Sequence, residues 1–414
     1  MSGSIYDEVE KVIDFESARV GPRPDFPPLP EIPGGRYTSP DFHELERKHV
    51  LSKSWVCAGR DEDLRKPGDY RLWDRLDVPL LLIRGQDEKL RAFYNTCRHR
   101  GAPVVRDDSG NTRLLRCQYH SWSYGLDGRL KGVPDERDFA CLNKAERGLI
   151  EASCDTWGGC VFVNLDRDAQ PLLEYLAPVV SELDCVGMEK LRTVHVQDYP
   201  FACNWKVAMD AFLEVYHINT IHPTNAGIML DSKAAAMGLM EGGHSRMATR
   251  KRMNEGLNFV EFEGAPDIPS MPDFYRLNNV AYMMFPNLIT PVEPTGFPVL
   301  LFWPDGVGHC TMQAIYVAPD WGEGERPAFW DRFLPIFHDV LQEDMMNLGP
   351  IQRSLESGGF TGMMINYQER RIYWFHEEVD RCIGADHIPE GLAVEQLLEP
   401  FAEQPISEAA EQEG

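Results

Sequence analysis

Two cysteines and two histidines stand close together in the pattern C-x-H, seventeen intervening residues, C-x-x-H. They are Cys97, His99, Cys117 and His120. Thiolate and imidazole are ligands for transition metals. Each half of the pattern supplies one ligand of each kind, so the chain between the halves must turn back on itself. The pattern therefore predicts two loops that face each other across a metal.

Two kinds of metal centre use two cysteines and two histidines. One is a tetrahedral zinc site. The other is a Rieske-type [2Fe–2S] cluster, in which the cysteines hold one iron and the histidines hold the other. The short C-x-H spacing and the glycine- and aromatic-rich flanks favour the Rieske cluster over zinc. Arg98, Arg100 and Arg116 lie beside the ligands, and backbone amides of the turns are expected to donate to the cluster sulfurs.

The residues around this pattern predict a small all-β domain. From about 55 to 165, short segments rich in β-branched and aromatic residues alternate with turn clusters. Before them, residues 21–36 are rich in proline and glycine and predict an extended arm. Helical patterning begins at Pro40, after a serine N-cap.

The rest of the chain predicts a larger α+β domain. Residues 205–222 have the pattern of a helix, and three strands follow in VAYMMFP, PVLLFWP and CTMQAIYVAP. A long helix is expected from Arg326 to Leu355, with a kink at Pro335 and a break at Gly349-Pro350. The predicted domains are an arm at 1–37, the β domain at 38–168, the α+β domain at 169–400 and an acidic, disordered tail at 401–414.

Composition excludes some partners. The 414 residues carry 41 basic and 65 acidic side chains, a net charge of −24, which disfavours nucleic acid and anionic membranes. No apolar run approaches the roughly 20 residues of a membrane span. The N-terminus lacks the apolar stretch of a signal peptide, so a cytoplasmic location is expected, with most of the ten cysteines free.

A second metal site is predicted around His217 and His222. Two histidines five apart converge on a metal if the helix loosens between them, and one added carboxylate gives the facial triad suited to Fe(II) and O₂. This spacing alone is a weak signal. However, the chain continues for some 250 residues beyond the predicted cluster domain, which suggests that the cluster feeds electrons to another centre.

The segments Asn95–Ala102 and CQYHSWSYGLDGRL resemble the Rieske domain of ring-hydroxylating oxygenase α subunits. The usual family form has Gly at Ser121 and often Pro at Gln118, and neither departure affects a ligand. Asn204-Trp205-Lys206 and the following Glu-x-x-His-x4-His resemble the family's mononuclear iron motif. The resemblance implies an all-β Rieske domain and a catalytic domain built on a helix-grip (START-like) antiparallel sheet.

The same resemblance implies roles for individual residues. His217 and His222 would bind iron together with Asp344 of the C-terminal helix, and Glu343 is the alternative third ligand. Glu214 would not bind iron but would link His217 to the cluster ligand His120 of a neighbouring subunit. Many members have Asp at Glu214, whereas quaternary-amine monooxygenases have Glu. The aromatic dioxygenases commonly have Asn at Asp210, the other residue assigned to the catalytic site.

The implied protein is a terminal oxygenase that hydroxylates an aromatic or other apolar organic substrate, as in aromatic hydrocarbon catabolism. Its cofactors would be the [2Fe–2S] cluster and a mononuclear Fe(II), with electrons from NAD(P)H through a ferredoxin or reductase. The family is trimeric, in some cases with a small β subunit. Two alternatives stay open: a monooxygenase acting by N- or O-demethylation or on a quaternary amine, and a non-enzymatic electron carrier or zinc-stabilised binding protein.

Apolar residues that follow the second motif are candidates for lining a hydrophobic substrate pocket. They are Met209, Phe212, Met229, Leu230, Tyr282, Met284 and Phe285. His244 is a further candidate for reaching this pocket.

Overall fold

The computed structural model describes residues 4–224, 226–252 and 264–403. They form two compact units, a smaller one at 51–174 and a larger one made of the chain on both sides of it. The units divide after residues 50 and 174, whereas the sequence predicted boundaries after 37 and 168; the predicted domain ranges remain predictions. The predicted acidic tail lies outside the described residues from residue 404 onward.

The smaller unit is built from short antiparallel strands, as predicted. A seven-stranded sheet has the order β2-β11-β10-β5-β4-β3-β6 and a three-stranded sheet the order β7-β8-β9. The strands are β2 (Val56–Arg60), β3 (Asp69–Arg75), β4 (Val78–Arg84), β5 (Leu90–Tyr94), β6 (Ser109–Asn111), β7 (Leu115–Arg116), β8 (Ser123–Tyr124), β9 (Leu130–Gly132), β10 (Glu151–Trp157) and β11 (Cys160–Asn164). The apolar run of β4 is buried, and this strand lies between β5 and β3 in the larger sheet.

The larger unit contains an eight-stranded sheet of order β12-β18-β17-β16-β15-β14-β13-β20, antiparallel except for the short β13–β20 pair. Its strands are β12 (Leu191–Phe201), β13 (Leu230–Met240), β14 (Ser245–Lys251), β15 (Asn278–Met284), β16 (Leu288–Val292), β17 (Phe297–Gly306), β18 (His309–Pro319) and β20 (Ala402–Glu403). A separate two-stranded ladder joins β1 (Ile32–Pro33) to β19 (Gly362–Met363). The three strands predicted in this domain are confirmed as β15, β17 and β18.

The described residues also form α-helices, several of which contact this sheet. They are α1 (Ile5–Ala18), α2 (Pro40–Leu45), α3 (Leu172–Tyr175), α4 (Ala177–Leu183), α5 (Trp205–Phe212), α6 (Ile218–Ile221), α7 (Ala226–Met229), α8 (Asp273–Leu277), α9 (Phe329–Glu356) and α10 (Arg370–Ile383). The Ser39 side chain caps α2, as predicted. Within the described residues, no helix has both the length and the apolar character needed to cross a membrane.

Sequence analysis did not predict α1. Ser4 and Asp7 form a reciprocal capping box at its start, and the Val9 and Ile13 side chains are buried. The helix contacts β13 and β14. All ten cysteines are free of disulfides, and six of them are buried, in line with the predicted free thiols.

The predicted break at Gly349-Pro350 is wrong, because α9 runs unbroken from Phe329 to Glu356 through both of its prolines. Proline removes one backbone donor and disfavours a helix interior. Buried Leu348, Gln352 and Leu355 lie before and after this point, so packing on both sides of Pro350 holds the helix together.

The prediction of one helix over residues 205–222 is also wrong. Helix α5 ends at Phe212, and the short α6 begins at Ile218. Between them the Glu214 carboxylate accepts hydrogen bonds from the backbone N–H groups of Tyr216 and His217. A side chain that satisfies these N–H groups competes with the helical hydrogen bonds. The chain therefore turns before His217, and His217 and His222 lie at the two ends of the short α6.

Candidate metal centres

The four predicted cluster residues lie on two loops with the same backbone pattern. In the first loop, Gly101 N–H donates to the Cys97 carbonyl and Cys97 N–H donates to Ala102. In the second, Ser121 N–H donates to the Cys117 carbonyl and Cys117 N–H donates to the carbonyl of Trp122, the residue corresponding to Ala102. Each loop thus forms the same hydrogen-bonded turn, which contains its cysteine and its histidine.

The two turns share one backbone requirement at Gly101 and Ser121. Gly101 has φ 78° and Ser121 has φ 59°, so both turns need the left-handed backbone region. Glycine adopts that region without steric cost, whereas other residues lose about 1–2 kcal/mol. Ser121 keeps the turn despite this cost.

The side chains of the two loops meet. The rings of His99 and His120 have centroids 4.6 Å apart. Burial raises the pKa of the Cys97 thiol, to which the neighbouring Cys117 thiol contributes. Nδ1 of His99 is buried and has no hydrogen-bond partner in the part of the chain that the structure describes. Two thiols, two imidazoles and a buried ring nitrogen left without a partner fit a metal cluster.

Aromatic residues support these ligands. The Trp122 ring stacks on His99 at 4.9 Å and 9°. The Tyr124 hydroxyl lies 3.2 Å from the Cys97 sulfur and accepts a hydrogen bond from the Arg98 backbone N–H at 3.0 Å. These contacts orient one cysteine and one histidine independently of any metal.

In the larger unit, His217, His222 and Asp344 come together. One ligand atom from each lies within 4.8 Å of the others. The Asp344 carboxylate Oδ1 lies 3.0 Å from Nε2 of His222 and 3.5 Å from Nε2 of His217. Asp344 is separated from the histidines by more than 120 residues, and α9 carries it to the turn between α5 and α7. Two imidazole nitrogens and one carboxylate are the donor set of a non-haem Fe(II) site.

Two further carboxylates contact the Nδ1 nitrogens of these histidines. Glu214 contacts Nδ1 of His217, and Glu343 Oε2 lies 2.7 Å from Nδ1 of His222. A carboxylate on Nδ1 leaves Nε2 as the nitrogen available to a metal. Glu343 therefore lies beside the other ring nitrogen of His222, while the neighbouring Asp344 lies beside Nε2 of both histidines.

The electrostatics of the site favour a cation. Burial by itself lowers the pKa of both imidazoles, but the hydrogen bond and charge of Glu214 raise the pKa of His217. Asp344 and Glu343 likewise raise the pKa of His222. The site thus gathers three carboxylates around two imidazoles, and this excess of negative charge fits a divalent metal.

Asp210 lies on the last turn of α5 and is buried. Its Oδ2 accepts a hydrogen bond from the Tyr37 hydroxyl at 2.7 Å, and that hydroxyl lies 2.9 Å from Nε2 of His376. Arg36 donates to Nδ1 of the same histidine. Burial raises the pKa of Asp210 to about 7. Sequence analysis missed Tyr37 and His376, because nothing local in the sequence connects them to residue 210.

The Asn204-Trp205-Lys206 motif has a structural explanation. Asn204 caps α5 by accepting from the Lys206 backbone N–H, and its own N–H donates to Gln352 of α9. The fully buried Lys206 ammonium lies 2.8 Å from the Glu46 carboxylate. This motif therefore fixes the start of the helix that leads to the histidines.

The apolar pocket candidates are mostly core residues. Met209, Phe212 and Phe285 belong to the main hydrophobic cluster of the larger unit, while Met229 and Leu230 belong to a second one. Met284 is buried as well, and the Tyr282 hydroxyl donates to Glu182. His244 accepts from the Phe285 backbone N–H and contacts the Tyr175 carbonyl, and burial lowers its pKa to about 4. It has the environment of a structural histidine.

Comparison with known families gives two matches. The Rieske [2Fe–2S] domain matches residues 54–143. The ring hydroxylating alpha subunit (catalytic domain) matches residues 188–385. The first range contains the four cysteine and histidine residues of the facing loops, and the second contains His217, His222 and Asp344.

Curated relatives match part of this arrangement. Benzene 1,2-dioxygenase subunit alpha of Pseudomonas putida is 34% identical over 221 residues, which is 51% of this chain and 46% of that protein. The alpha subunit of 2-aminobenzenesulfonate 2,3-dioxygenase from Alcaligenes sp. is 30% identical over 259 residues, 61% of this chain and 65% of that protein. The chain thus spans about half the length of the first curated relatives it matches.

Solved structures share the fold over most of the chain. A quaternary ammonium Rieske monooxygenase superposes with a TM-score of 0.74 at 22% identity, covering 88% of this chain and 100% of that one. Naphthalene 1,2-dioxygenase from Rhodococcus sp. gives a TM-score of 0.70 at 20% identity, covering 92% and 98%.

A Rieske domain followed by a ring-hydroxylating catalytic domain defines the class of Rieske non-haem iron oxygenases. This chain contains both domains in that order, and it is similar to the α subunits of ring-hydroxylating dioxygenases. The cofactors of such a chain are a Rieske [2Fe–2S] cluster and a mononuclear iron, and the donor sets of the two sites fit them.

Proposed function

We propose that this chain is the terminal oxygenase component of a multicomponent system that hydroxylates an aromatic or other apolar organic substrate. The observation that carries the proposal is the convergence of His217 Nε2, His222 Nε2 and Asp344 Oδ1 in a chain that also has a Rieske domain. Three protein ligands leave open positions on an iron, which is what O₂ chemistry requires.

Each metal has a separate task in this proposal. The iron supplies the oxidising power, and the cluster bound by Cys97, His99, Cys117 and His120 supplies single electrons. The protein groups hold the ligands in place: Glu214 and Glu343 fix the two imidazoles, and α9 fixes Asp344. The electrons would come from NAD(P)H through a separate ferredoxin or reductase.

We further propose that Glu214 links the two sites across a subunit boundary. Its carboxylate already contacts the Nδ1 of His217, so a hydrogen bond from His120 of a neighbouring subunit would complete a path to the iron. This requires a head-to-tail assembly, for which a homotrimer is the expectation from the family, with or without a small β subunit.

Iron content tests the proposal against its alternatives. A cluster and a mononuclear site together give about three iron atoms per chain. About two atoms per chain with no substrate oxidation would indicate an electron carrier instead, and zinc without iron would contradict both. The purified protein should also consume O₂ when a surrogate reductase and a substrate are supplied.

A second candidate is a Rieske monooxygenase that demethylates an amine or ether or oxidises a quaternary amine. It is favoured by Glu214 and Asp210, which stand where ring dioxygenases commonly have Asp and Asn. Product analysis separates the candidates. Both atoms of labelled O₂ enter the product of a ring dioxygenase, whereas demethylation releases formaldehyde. A turnover screen over aromatic acids, polycyclic aromatics and methylated amines would reveal which reaction occurs.

A further inference from the structure

Two cysteines of the smaller unit lie on neighbouring strands and are not among the four predicted cluster residues. Cys57 belongs to β2, and Cys160 is the first residue of β11. These are the first and the last strand of the smaller unit, and they pair in an antiparallel ladder. Both side chains are buried. The two ends of the unit thus each bring a buried thiol to the same pair of strands.

The register of these strands turns both thiols to one face of the sheet. Cys160 lies opposite Arg60, and Phe162 lies opposite Cys57. Opposed residues of antiparallel strands share a face, and so do residues two apart on one strand. Cys57 and Arg60 are three apart, but the strand has a register shift between them, where Gly59 has φ 99°, so both can face Cys160. The two thiols accordingly form a hydrogen bond with each other.

The guanidinium of Arg60 is the third group at this point. It donates a hydrogen bond to the Cys160 sulfur and another to the Gly158 carbonyl, the latter at 2.7 Å. A Cβ at Gly159 would lie 2.7 Å from the same guanidinium, so the glycine leaves room for it. The Arg60 Nε lies 3.2 Å from the carboxylate of Glu62. A buried cation therefore contacts one thiol of the pair.

The two thiols differ in acidity. Hydrogen bonding from Cys57 and the charge of Arg60 lower the pKa of Cys160 to about 7, although burial opposes this shift. The hydrogen bond with Cys160 and burial raise the pKa of Cys57. The thiolate is the reactive form of cysteine, so Cys160 is the nucleophile of the pair and Cys57 keeps its proton. Cys160 also ends the β10–β11 ladder, where local opening can admit a small molecule.

We propose that Cys57 and Cys160 form a disulfide when the protein meets hydrogen peroxide. The Cys160 thiolate attacks one peroxide oxygen and the O–O bond breaks, which gives a sulfenic acid and a hydroxide that takes up a proton. The Cys57 sulfur then attacks the Cys160 sulfur, and the hydroxyl group leaves with the Cys57 proton as water. Overall, two thiols and one peroxide give one disulfide and two waters. The inference goes beyond the proposed function and uses neither metal centre, so each can fail while the other holds.

The disulfide would join the first strand of the smaller unit to its last. A cross-link between residues far apart in the chain restricts the unfolded state and so stabilises the folded one. The peroxide-treated protein should therefore need a higher urea concentration to unfold its smaller unit, and reduction with dithiothreitol should reverse this change.

Cys203 and Cys310 of the larger unit are the matched control pair. Their sulfurs lie 4.0 Å apart, and both side chains are buried. Hydrogen bonding with Cys203, burial and the negative charge of Asp305 raise the pKa of Cys310. This pair resembles the first in burial and proximity but not in acidity. It should remain reduced under the same treatment, because a protonated thiol is a poor nucleophile.

The test treats the full-length holoprotein, with its cluster oxidised, with hydrogen peroxide and then blocks the remaining thiols with N-ethylmaleimide in denaturant. Peptide mapping by mass spectrometry should show the Cys57–Cys160 disulfide, with Cys203 and Cys310 both alkylated. In Arg60→Met the disulfide should form about tenfold more slowly, because the fraction of thiolate at neutral pH falls. Arg60→Lys keeps a positive charge and should retain most of the wild-type rate.

A second variant, Cys57→Ser, removes the thiol that closes the disulfide. Cys160 should then stop at the sulfenic acid, which dimedone traps, and this result decides if Arg60→Met fails to fold by circular dichroism. Absence of the Cys57–Cys160 disulfide in the treated wild type would overturn the inference. So would oxidation of Cys203 and Cys310 at the same rate, or a folded Arg60→Met that is oxidised as fast as the wild type.

Discussion

Glu343 and Asp344, adjacent on α9, hold the two nitrogens of one imidazole. Glu343 Oε2 lies 2.7 Å from Nδ1 of His222, and Asp344 Oδ1 lies 3.0 Å from Nε2. The first carboxylate orients the ring, and the second converges with Nε2 on the same point as His217. The acidic pair on α9 therefore has divided roles, although the sequence alone left either residue as a possible ligand.

Glu343→Gln should weaken iron binding by about 10–100-fold, because loss of a carboxylate that supports a ligating histidine typically has that effect. The measurement is the affinity of the metal-depleted protein for Fe(II). The control is Glu189→Gln, which changes an exposed glutamate of the same unit. Full affinity in Glu343→Gln would mean that the His222 ring is held by other contacts.

His217→Ala removes one of the three converging side chains. We expect the visible spectrum of the cluster to remain and substrate turnover to disappear. The reason is that His217 lies in the larger unit, whereas the four cluster residues lie in the smaller one. Absorption spectra and turnover of the same preparation check this. Loss of the cluster spectrum would contradict the assignment of separate sites.

Glu214→Gln keeps the shape of the side chain but removes its charge. Both metals should stay bound, because Glu214 is not one of the converging ligands. Electron transfer from the cluster to the iron should become much slower. Stopped-flow reoxidation of the reduced cluster with substrate and O₂ present measures this step. Reoxidation at the wild-type rate would rule out the proposed bridge.

Asp210 should make stability depend on pH. Its pKa is about 7 in the folded protein, raised by burial, against about 3.9 in an unfolded chain. Between these values the folded state binds the extra proton, so the contribution of Asp210 to the free energy of unfolding falls as pH rises from about 4 to about 7. Above about pH 7 the contribution of Asp210 no longer changes with pH.

Asp210→Asn removes this contribution and keeps an acceptor for the Tyr37 hydroxyl. Relative to the wild type, the variant should become progressively more stable as pH rises from about 4 to about 7. Urea denaturation at several pH values gives the difference. A stability difference that does not change with pH would mean that Asp210 titrates normally.

Lys206→Met should lower the free energy of unfolding by about 3–5 kcal/mol, because it leaves the buried carboxylate of Glu46 without its cationic partner, with the Trp205 indole N–H still donating to it. The double variant Lys206→Met with Glu46→Gln should recover much of the loss. Urea denaturation of the two variants provides the comparison. Equal destabilisation in both would show that the packing of the lysine stem, rather than the ion pair, matters.

The sequence by itself determined the ligands that are close in the chain. Cys97 and His99 share one loop, and Cys117 and His120 share another, so their spacing and the turn residues between them were sufficient to predict a cluster. The pattern of short strands predicted the β unit for the same reason, since hairpins are made of local contacts. Strands β15, β17 and β18 were predictable from their apolar runs.

Only the tertiary structure decided what depends on distant partners. It placed Asp344 beside Nε2 of both histidines and Glu343 beside Nδ1 of His222, because the direction in which α9 packs cannot be read from a helical pattern. It ended α5 at Phe212, where the Glu214 carboxylate takes the backbone N–H groups of the next turn. It kept α9 intact through Pro350, because burial on both sides outweighs one missing hydrogen bond. Local residue patterns determined the two metal-binding motifs. The free energy of side-chain packing determined how their residues are arranged in space.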